Sequence, residues 1–269
     1  MKITPKNDQA SAPYATALRK QSAISAIILA AGRGRRLGQP KPKALLEFDG
    51  KTLLERHIAA LRVHGVHDIS ITVGYQSAAI RREVARLGLA DGVTLVDNPY
   101  YLQGSLVSVW AQRERLRSGA SIVLMDADVL YDPRMIGRLL HAEPPNVLLL
   151  DRMIEPGDEP VKICVRDSAI VDFAKKPVQP HEWHGESVGF FRFTPEMSAS
   201  LAERLDDYCK AGRTSDEYEE AIRDLIAARP DQFGFEDISD LPWTEIDFEA
   251  DVIRAEREIL PQIAALQDA

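Results

Sequence analysis

The chain has 269 residues, 45% hydrophobic and 28% charged, and its 33 Lys and Arg against 41 Asp and Glu leave a net charge of −8. It is long enough for one large core, holds no apolar run near the roughly 18 to 20 residues of a membrane span, and lacks the basic excess of a general nucleic-acid binder. Its two cysteines, Cys164 and Cys209, fit neither a disulfide framework nor a zinc site, so a reducing cytoplasm is the expected compartment.

Met1 to Ser22 mix Pro, Ser, Ala and scattered Lys without apolar periodicity and read as a flexible tail, which leaves 23–269 as a single expected domain. Ile24 to Ala30 reads as a buried strand, and Leu53, Leu54, Ile58 and Leu61 give Thr52 to His64 a helical spacing. A strand from Ile69 to Val73, a helix from Gln76 to Leu87, a strand from Val93 to Val96 and a helix from Ser105 to Leu116 follow. Ile122 to Met125 is an apolar run that ends in acid. Strands separated by helices in this way predict βαβ units, with a mainly parallel sheet covered by helices on both faces. Downstream, Val147 to Leu150, Val161 to Val165, Ala169 to Phe173 and Val188 to Phe193 are joined by short turns, so a smaller antiparallel β region is expected there. Helices resume from Pro195 to about Cys209, from Ser215 to Ala228 and from about Glu249 to Leu266.

Directly after the first strand stands Leu29-Ala30-Ala31-Gly32-Arg33-Gly34-Arg35-Arg36-Leu37-Gly38. Glycines in such a place let backbone N–H groups cradle phosphates at the carboxyl end of a strand. A dinucleotide fingerprint would need glycine where Leu37 stands, and a Walker A loop would need it at Leu45. What remains is a basic loop followed by Pro42-Lys43, able to hold a triphosphate and neutralise charge on its bridging oxygens. A solvated basic loop is the plain alternative.

Asp126 and Asp128 close the run from Ile122 to Met125, and their spacing of two puts both on one face if the strand continues. Far downstream, Trp243-Thr244-Glu245-Ile246-Asp247 supplies another carboxylate. Two carboxylates at a triphosphate mouth suit Mg²⁺, which completes its octahedron with phosphate oxygens and water. Asp126 serves equally as a strand-end cap, and Asp247 as the N-cap of the last helix. The histidines form no metal set, and His57, His64, His67 and His141 are expected at the surface.

Leu-Ala-Ala-Gly-x-Gly-x-Arg-Leu-Gly followed by Pro-Lys resembles the signature of the nucleotidyltransferase superfamily, and in particular of the phosphocholine and 2-aminoethylphosphonate cytidylyltransferases. The segment from Asp97 to Ser105, with its Asn98-Pro99-Tyr100, is similar to theirs, and the likeness runs over nearly all of Ile24 to Leu260. It implies a Rossmann-like sheet of the GT-A type and a CTP-dependent transfer of CMP to a small phosphorylated alcohol or phosphonate, with sugar-phosphate and inositol-phosphate transferases as neighbouring readings and a non-catalytic nucleotide-binding module as the alternative of another class. It carries Lys43 and Arg36 onto the catalytic pair and Asp128 and Asp247 onto the Mg²⁺ ligands. Leu29, Ala30, Ala31, Gly32, Gly34, Arg35, Gly104, Ser105 and Asp126 fall on the nucleotide side. Lys175, Trp183, Glu186, Tyr218 and Glu219 fall on the acceptor side, where carboxylates and aromatic faces would favour a cationic head group. From the residues alone Ser105 serves as well for a helix N-cap, Tyr218 for the core and Lys175 for the surface.

Overall fold

The computed structural model describes residues 23–38, 41–89, 91–154 and 159–267; the expected tail, Met1 to Ser22, lies outside them. In chain order they form β1 (Ile24–Ala30), β2 (Glu47–Phe48), β3 (Lys51–Thr52), α1 (Leu53–Val63), β4 (Asp68–Val73), α2 (Ser77–Arg86) and β5 (Val93–Asp97). Next come α3 (Leu106–Trp110), α4 (Arg113–Leu116), β6 (Ser121–Asp126), β7 (Val129–Tyr131), α5 (Arg134–His141), β8 (Asn146–Asp151), β9 (Lys162–Arg166), β10 (Ala169–Ala174) and β11 (Trp183–Phe193). The chain continues as α6 (Pro195–Lys210), α7 (Tyr218–Ala228), β12 (Phe233–Asp237), β13 (Trp243–Glu245), α8 (Glu249–Arg254), a π-helical turn (Ala255–Ile259) and α9 (Leu260–Gln267).

The main sheet has the order β10-β9-β11-β6-β1-β4-β5, with β8 pairing β11 and β12. Strands β6, β1, β4 and β5 run parallel, while β11 is antiparallel to β6, β8 and β9. Alternation along the central strands divides the core: Ala26 and Ile28 of β1 with Val123 and Met125 of β6 face one layer, and Ile27 with Ile122 and Leu124 face the other. A third cluster joins Leu37 of the glycine-rich loop to Ile246, Ala255 and Ile259 of the C-terminal segment.

Four expectations are corrected. The helix expected from Ser105 to Leu116 is two short helices, and the last helix is interrupted by its π turn. Asp126 and Asp128 do not share a strand face, because β6 stops at Asp126 and the chain turns through Ala127 and Asp128 into β7. His57 is no surface residue: it is fully buried on the inner side of α1, where Tyr131 and Phe190 pack against its ring.

Candidate active site

The glycine-rich loop leaves β1 and returns on itself through Gly34 (φ 59°) and Gly38 (φ 68°), with buried Leu37 pinning the turn between them. A Cβ on Gly34 would stand 2.9 Å from Cγ of Lys43, so a glycine there lets the loop lie against that lysine. Pro42 opens the 3₁₀ turn Lys43–Leu45 and places Lys43 beneath the loop.

The Lys43 ammonium is ion-paired with Asp128, at 2.9 Å, and with Asp247. Burial works against its charge, but the two carboxylates outweigh that and hold it above the ordinary lysine range. Asp247 is held below the usual carboxylate range: burial opposes this, and Lys43 and then Arg36 prevail. The Arg36 guanidinium spans the cleft mouth, donating to Asp247 at 3.0 Å and to Glu159 at 3.1 Å.

Two short strands explain how residues more than a hundred positions apart meet. β7 and β13 pair antiparallel, Glu245 opposite Val129, and the Ile246 amide donates to the Asp128 carbonyl at 2.9 Å. Asp247 does not cap the following helix, since Asp251 reaches back to accept from the amides of Asp247 and Phe248 at 2.8 and 2.7 Å. The carboxylate of Asp247 is thereby left to the cleft. Oxygens of Asp128, Glu245 and Asp247 all lie within 4.8 Å of one another. Three hard oxygen donors, two of which already hold the Lys43 ammonium, suit Mg²⁺. Glu245 is the residue sequence reasoning missed, although its spacing of two from Asp247 was the available signal.

Arg36, Asp128, Glu159, Glu245 and Asp247 line a cleft of about 690 Å³ at the carboxyl ends of β1 and β6, which also holds Leu29, Ala31, Gly32, Gly34, Arg35, Gly104 and Ser105; Lys43 meets it through its ion pairs with Asp128 and Asp247. Ala30 differs, its methyl group lying in the core. Gly104 and Ser105 have a structural task as well. A Cβ on Gly104 would come within 2.0 Å of the Asp216 carbonyl, and the Ser105 hydroxyl accepts from the Tyr218 amide at 3.0 Å, capping α7 rather than its own helix. The Tyr218 hydroxyl in turn donates to Asp126 at 2.7 Å, so its buried ring touches both core and cleft. Asp126 lies in low-dielectric surroundings beside Asp128 and Glu219, and burial followed by those charges pushes its carboxyl well above the ordinary range.

On the far wall, Lys175 pairs with Glu217 at 2.8 Å and faces the cleft. Glu186 and Asp151 are direct partners across β11 and β8, and both are buried. Burial, then the neighbouring Asp151, pushes Glu186 up to about 7. Asp151 accepts from the Trp243 indole N–H at 2.7 Å. Burial and then Glu217 push Glu219 up to about 8, and its Oε2, sealed from solvent, has no hydrogen-bond partner among the described residues. Trp183 is not in the cleft. It lies three residues from Glu186 on β11 and so on the opposite side, with the Arg152 guanidinium 4.1 Å above its ring and Phe235 against its edge.

With this geometry in view, comparison with known proteins is decisive at the level of family: residues 26–172 match the MobA-like NTP transferase domain. The chain belongs to that family. A bifunctional IPC transferase and DIPP synthase of Rubrobacter xylanophilus is 29% identical over 252 residues, 91% of this chain and 54% of that protein. A CMP-5'-(3-aminopropyl)phosphonate synthase of Streptomyces rubellomurinus is 27% identical over 247 residues, 88% of this chain and 39% of that one. The chain therefore spans about half the length, or less, of these two relatives. Among solved structures, the CTP:phosphocholine cytidylyltransferase LicC of Streptococcus pneumoniae shares the fold, with a TM-score of 0.71 and 24% identity over 88% of this chain and 99% of that chain. The glycine-rich loop of this MobA-like domain, its Pro42-Lys43, Asp126 and Asp128 all fall inside the matched segment, whereas Glu245 and Asp247 lie beyond it.

Proposed function

We propose that this MobA-like NTP transferase domain is a CTP-dependent cytidylyltransferase that transfers CMP to a small phosphorylated alcohol or phosphonate of the phosphocholine, phosphoethanolamine or 2-aminoethylphosphonate type. The observation that carries the reading is the convergence on one cleft of a basic glycine-rich loop and the carboxylates of Asp128, Glu245 and Asp247, two of which are ion-paired with Lys43. An oxygen of the acceptor phosphate or phosphonate attacks the α-phosphorus in line. The bond from that phosphorus to the oxygen bridging to the β-phosphate breaks, and pyrophosphate leaves.

The chain's own groups contribute positioning and charge. The loop amides of Gly32 to Gly34 cradle the triphosphate, and Arg36, already at the cleft mouth, holds the departing pyrophosphate. Lys43 neutralises charge that builds at the α-phosphate, within a site where a point charge acts through little water. Asp128 and Asp247, with Glu245 beside them, would hold Mg²⁺, which would supply Lewis-acid charge neutralisation there. On the acceptor side Lys175 faces the phosphoryl group, while Glu186 with Asp151, and Glu219 with Tyr218, offer carboxylates and an aromatic edge to a cationic head group. Trp183 is left out of this set by its position on the other side of β11. The reading sets the reaction in the cytoplasm, with Cys164 and Cys209 as free thiols.

A second reading, transfer to an inositol or sugar phosphate, is favoured by the 29% identity to the bifunctional IPC transferase and DIPP synthase. A matrix of CTP, UTP, GTP and ATP against phosphocholine, phosphoethanolamine, 2-aminoethylphosphonate, inositol-1-phosphate and glucose-1-phosphate, scored by pyrophosphate release, separates the two. Turnover of CTP with a cationic acceptor supports the first reading. A higher kcat/KM with a neutral polyol phosphate or another nucleotide overturns it, and no release from any pair removes both.

A further inference from the structure

We propose that His57 is a positioning residue for the metal carboxylates, holding through its Nε2–H the turn on which Asp128 leaves β6; the inference rests on the assignment of Asp128, Glu245 and Asp247 to a divalent cation. The imidazole Nε2 lies 3.1 Å from the Asp126 carbonyl oxygen. That carbonyl stands beyond Met125, the last residue of β6 that β11 pairs, so strand pairing on that side has already ended where the turn begins. The next backbone groups are fixed by other neighbours: the Ala127 amide donates to Leu29 at 3.3 Å, and the Asp128 carbonyl accepts from Ile246 at 2.9 Å. His57 supplies a side-chain donor to this run from behind the sheet.

Packing shows why the donor direction is fixed. The ring is fully buried, 5.2 Å from the ring of Tyr131 and edge-on to Phe190 at 5.9 Å. Tyr131 closes β7, which follows Asp128 and pairs with the strand carrying Glu245. One side chain thus touches the chain on both sides of Asp128, at Asp126 and at Tyr131. The other ring nitrogen, Nδ1, is buried and has no partner among the described residues. A leucine or phenylalanine would fill the same space without an unbonded nitrogen, so the bond to Asp126 is what an imidazole adds here. Groups hydrogen-bonded directly to metal ligands commonly alter metal affinity by about 10- to 100-fold when removed, and a donor that holds the adjoining backbone is expected at the lower end of that range.

The test is direct Mn²⁺ binding to the full chain without nucleotide or acceptor, followed by electron paramagnetic resonance and calorimetry, with thermal melts alongside. His57→Leu is expected to weaken Mn²⁺ by about 10-fold or more, and His57→Gln, whose amide N–H reaches where Nε2 does, to restore most of it. In turnover, the leucine variant is expected to lose kcat and require more metal while its KM for the acceptor stays within about twofold. If the leucine variant does not fold, His57→Asn against His57→Gln carries the comparison, since the shorter amide falls short of the Asp126 carbonyl. Equal Mn²⁺ affinity in either pair, or a wild-type chain that binds no Mn²⁺, overturns the inference. A wild type that binds Mn²⁺ but releases pyrophosphate from no donor overturns the functional reading instead and leaves the role of His57 standing.

Discussion

Glu186 gives the sharpest test of the acceptor site, because its ionisation should act in opposite directions on stability and on binding. Buried beside Asp151, it is raised from 4.5 to about 7. The folded protein therefore keeps a proton that the unfolded chain gives up, so this stabilisation is complete below about pH 4.5 and is lost as the pH rises through 7. The shift is worth on the order of 3 kcal/mol. Glu186→Gln keeps the shape and removes the charge, so the variant should be more stable than wild type at about pH 8, by up to that amount, and much closer to it at pH 5. Binding of a cationic head group should go the other way. The carboxylate is about one-tenth ionised at pH 6 and about nine-tenths at pH 8, so KM for phosphocholine or 2-aminoethylphosphonate should fall about ninefold across that interval in wild type. In the glutamine variant it should stay flat apart from the acceptor phosphate's own titration, with KM for CTP unchanged. Urea denaturation at the two pH values and initial rates at saturating CTP measure both effects. Equal pH dependence of KM in wild type and variant, or no gain in stability at pH 8, would refute the reasoning.

Asp128→Ala or Asp247→Ala should lower turnover by at least about 10²-fold, and excess chelator should do the same to wild type; full activity in any of these would remove the metal assignment. CTP should show a higher kcat/KM than UTP, GTP or ATP with the true acceptor, and preference for any of those three would move the chain to another branch of the superfamily. Asp172 is buried and binds Arg223 at 2.7 Å and the amides of Val178 and Gln179, tying α7 and the loop after Lys175 to β10. Burial opposes its ionisation, but those amides and Arg223 hold it below the ordinary carboxylate range, so Asp172→Asn should cost about 2 to 4 kcal/mol near neutral pH by urea denaturation. That difference should shrink as pH falls through the carboxylate's depressed titration.

The parts of this molecule that were legible in the sequence are those whose cause is local. Runs such as Ile24 to Ala30 and Ile122 to Met125 mark buried strands because parallel strands must be apolar on both faces. The glycine-rich loop was legible because left-handed backbone and close approach to Lys43 demand glycine in a fixed order. Three-residue β7 and β13 carry too little pattern to announce themselves, and their pairing joins positions more than a hundred residues apart. With that pairing hidden, Asp247 could be placed only by resemblance, and Glu245 was passed over. His57 and Trp183 failed for a different reason: side-chain direction depends on which face of α1 or β11 is covered, and a single residue between mixed neighbours does not reveal it.

Long-range hydrogen bonds also keep the two halves of the cleft aligned. In the proposed reading the nucleotide side is the β1 loop and the segment before α3, and the acceptor side is β11, the loop after β10 and the start of α7. They are joined at Tyr218, whose amide donates to Ser105 and whose hydroxyl donates to Asp126. Gly104 allows this junction because any side chain there would strike the Asp216 carbonyl. The junction fixes the helix that carries Glu219 against the strand end that precedes Asp128, so the acceptor wall and the carboxylate cluster share one reference point. In-line attack needs the two substrates aligned to within a fraction of an ångström, and covalent distance along the chain cannot supply that between residues 105, 126 and 218. Hydrogen bonds in the low-dielectric floor of the cleft can, which is the physical reason proposed for a tyrosine that looks like core in the sequence bonding both Ser105 and Asp126.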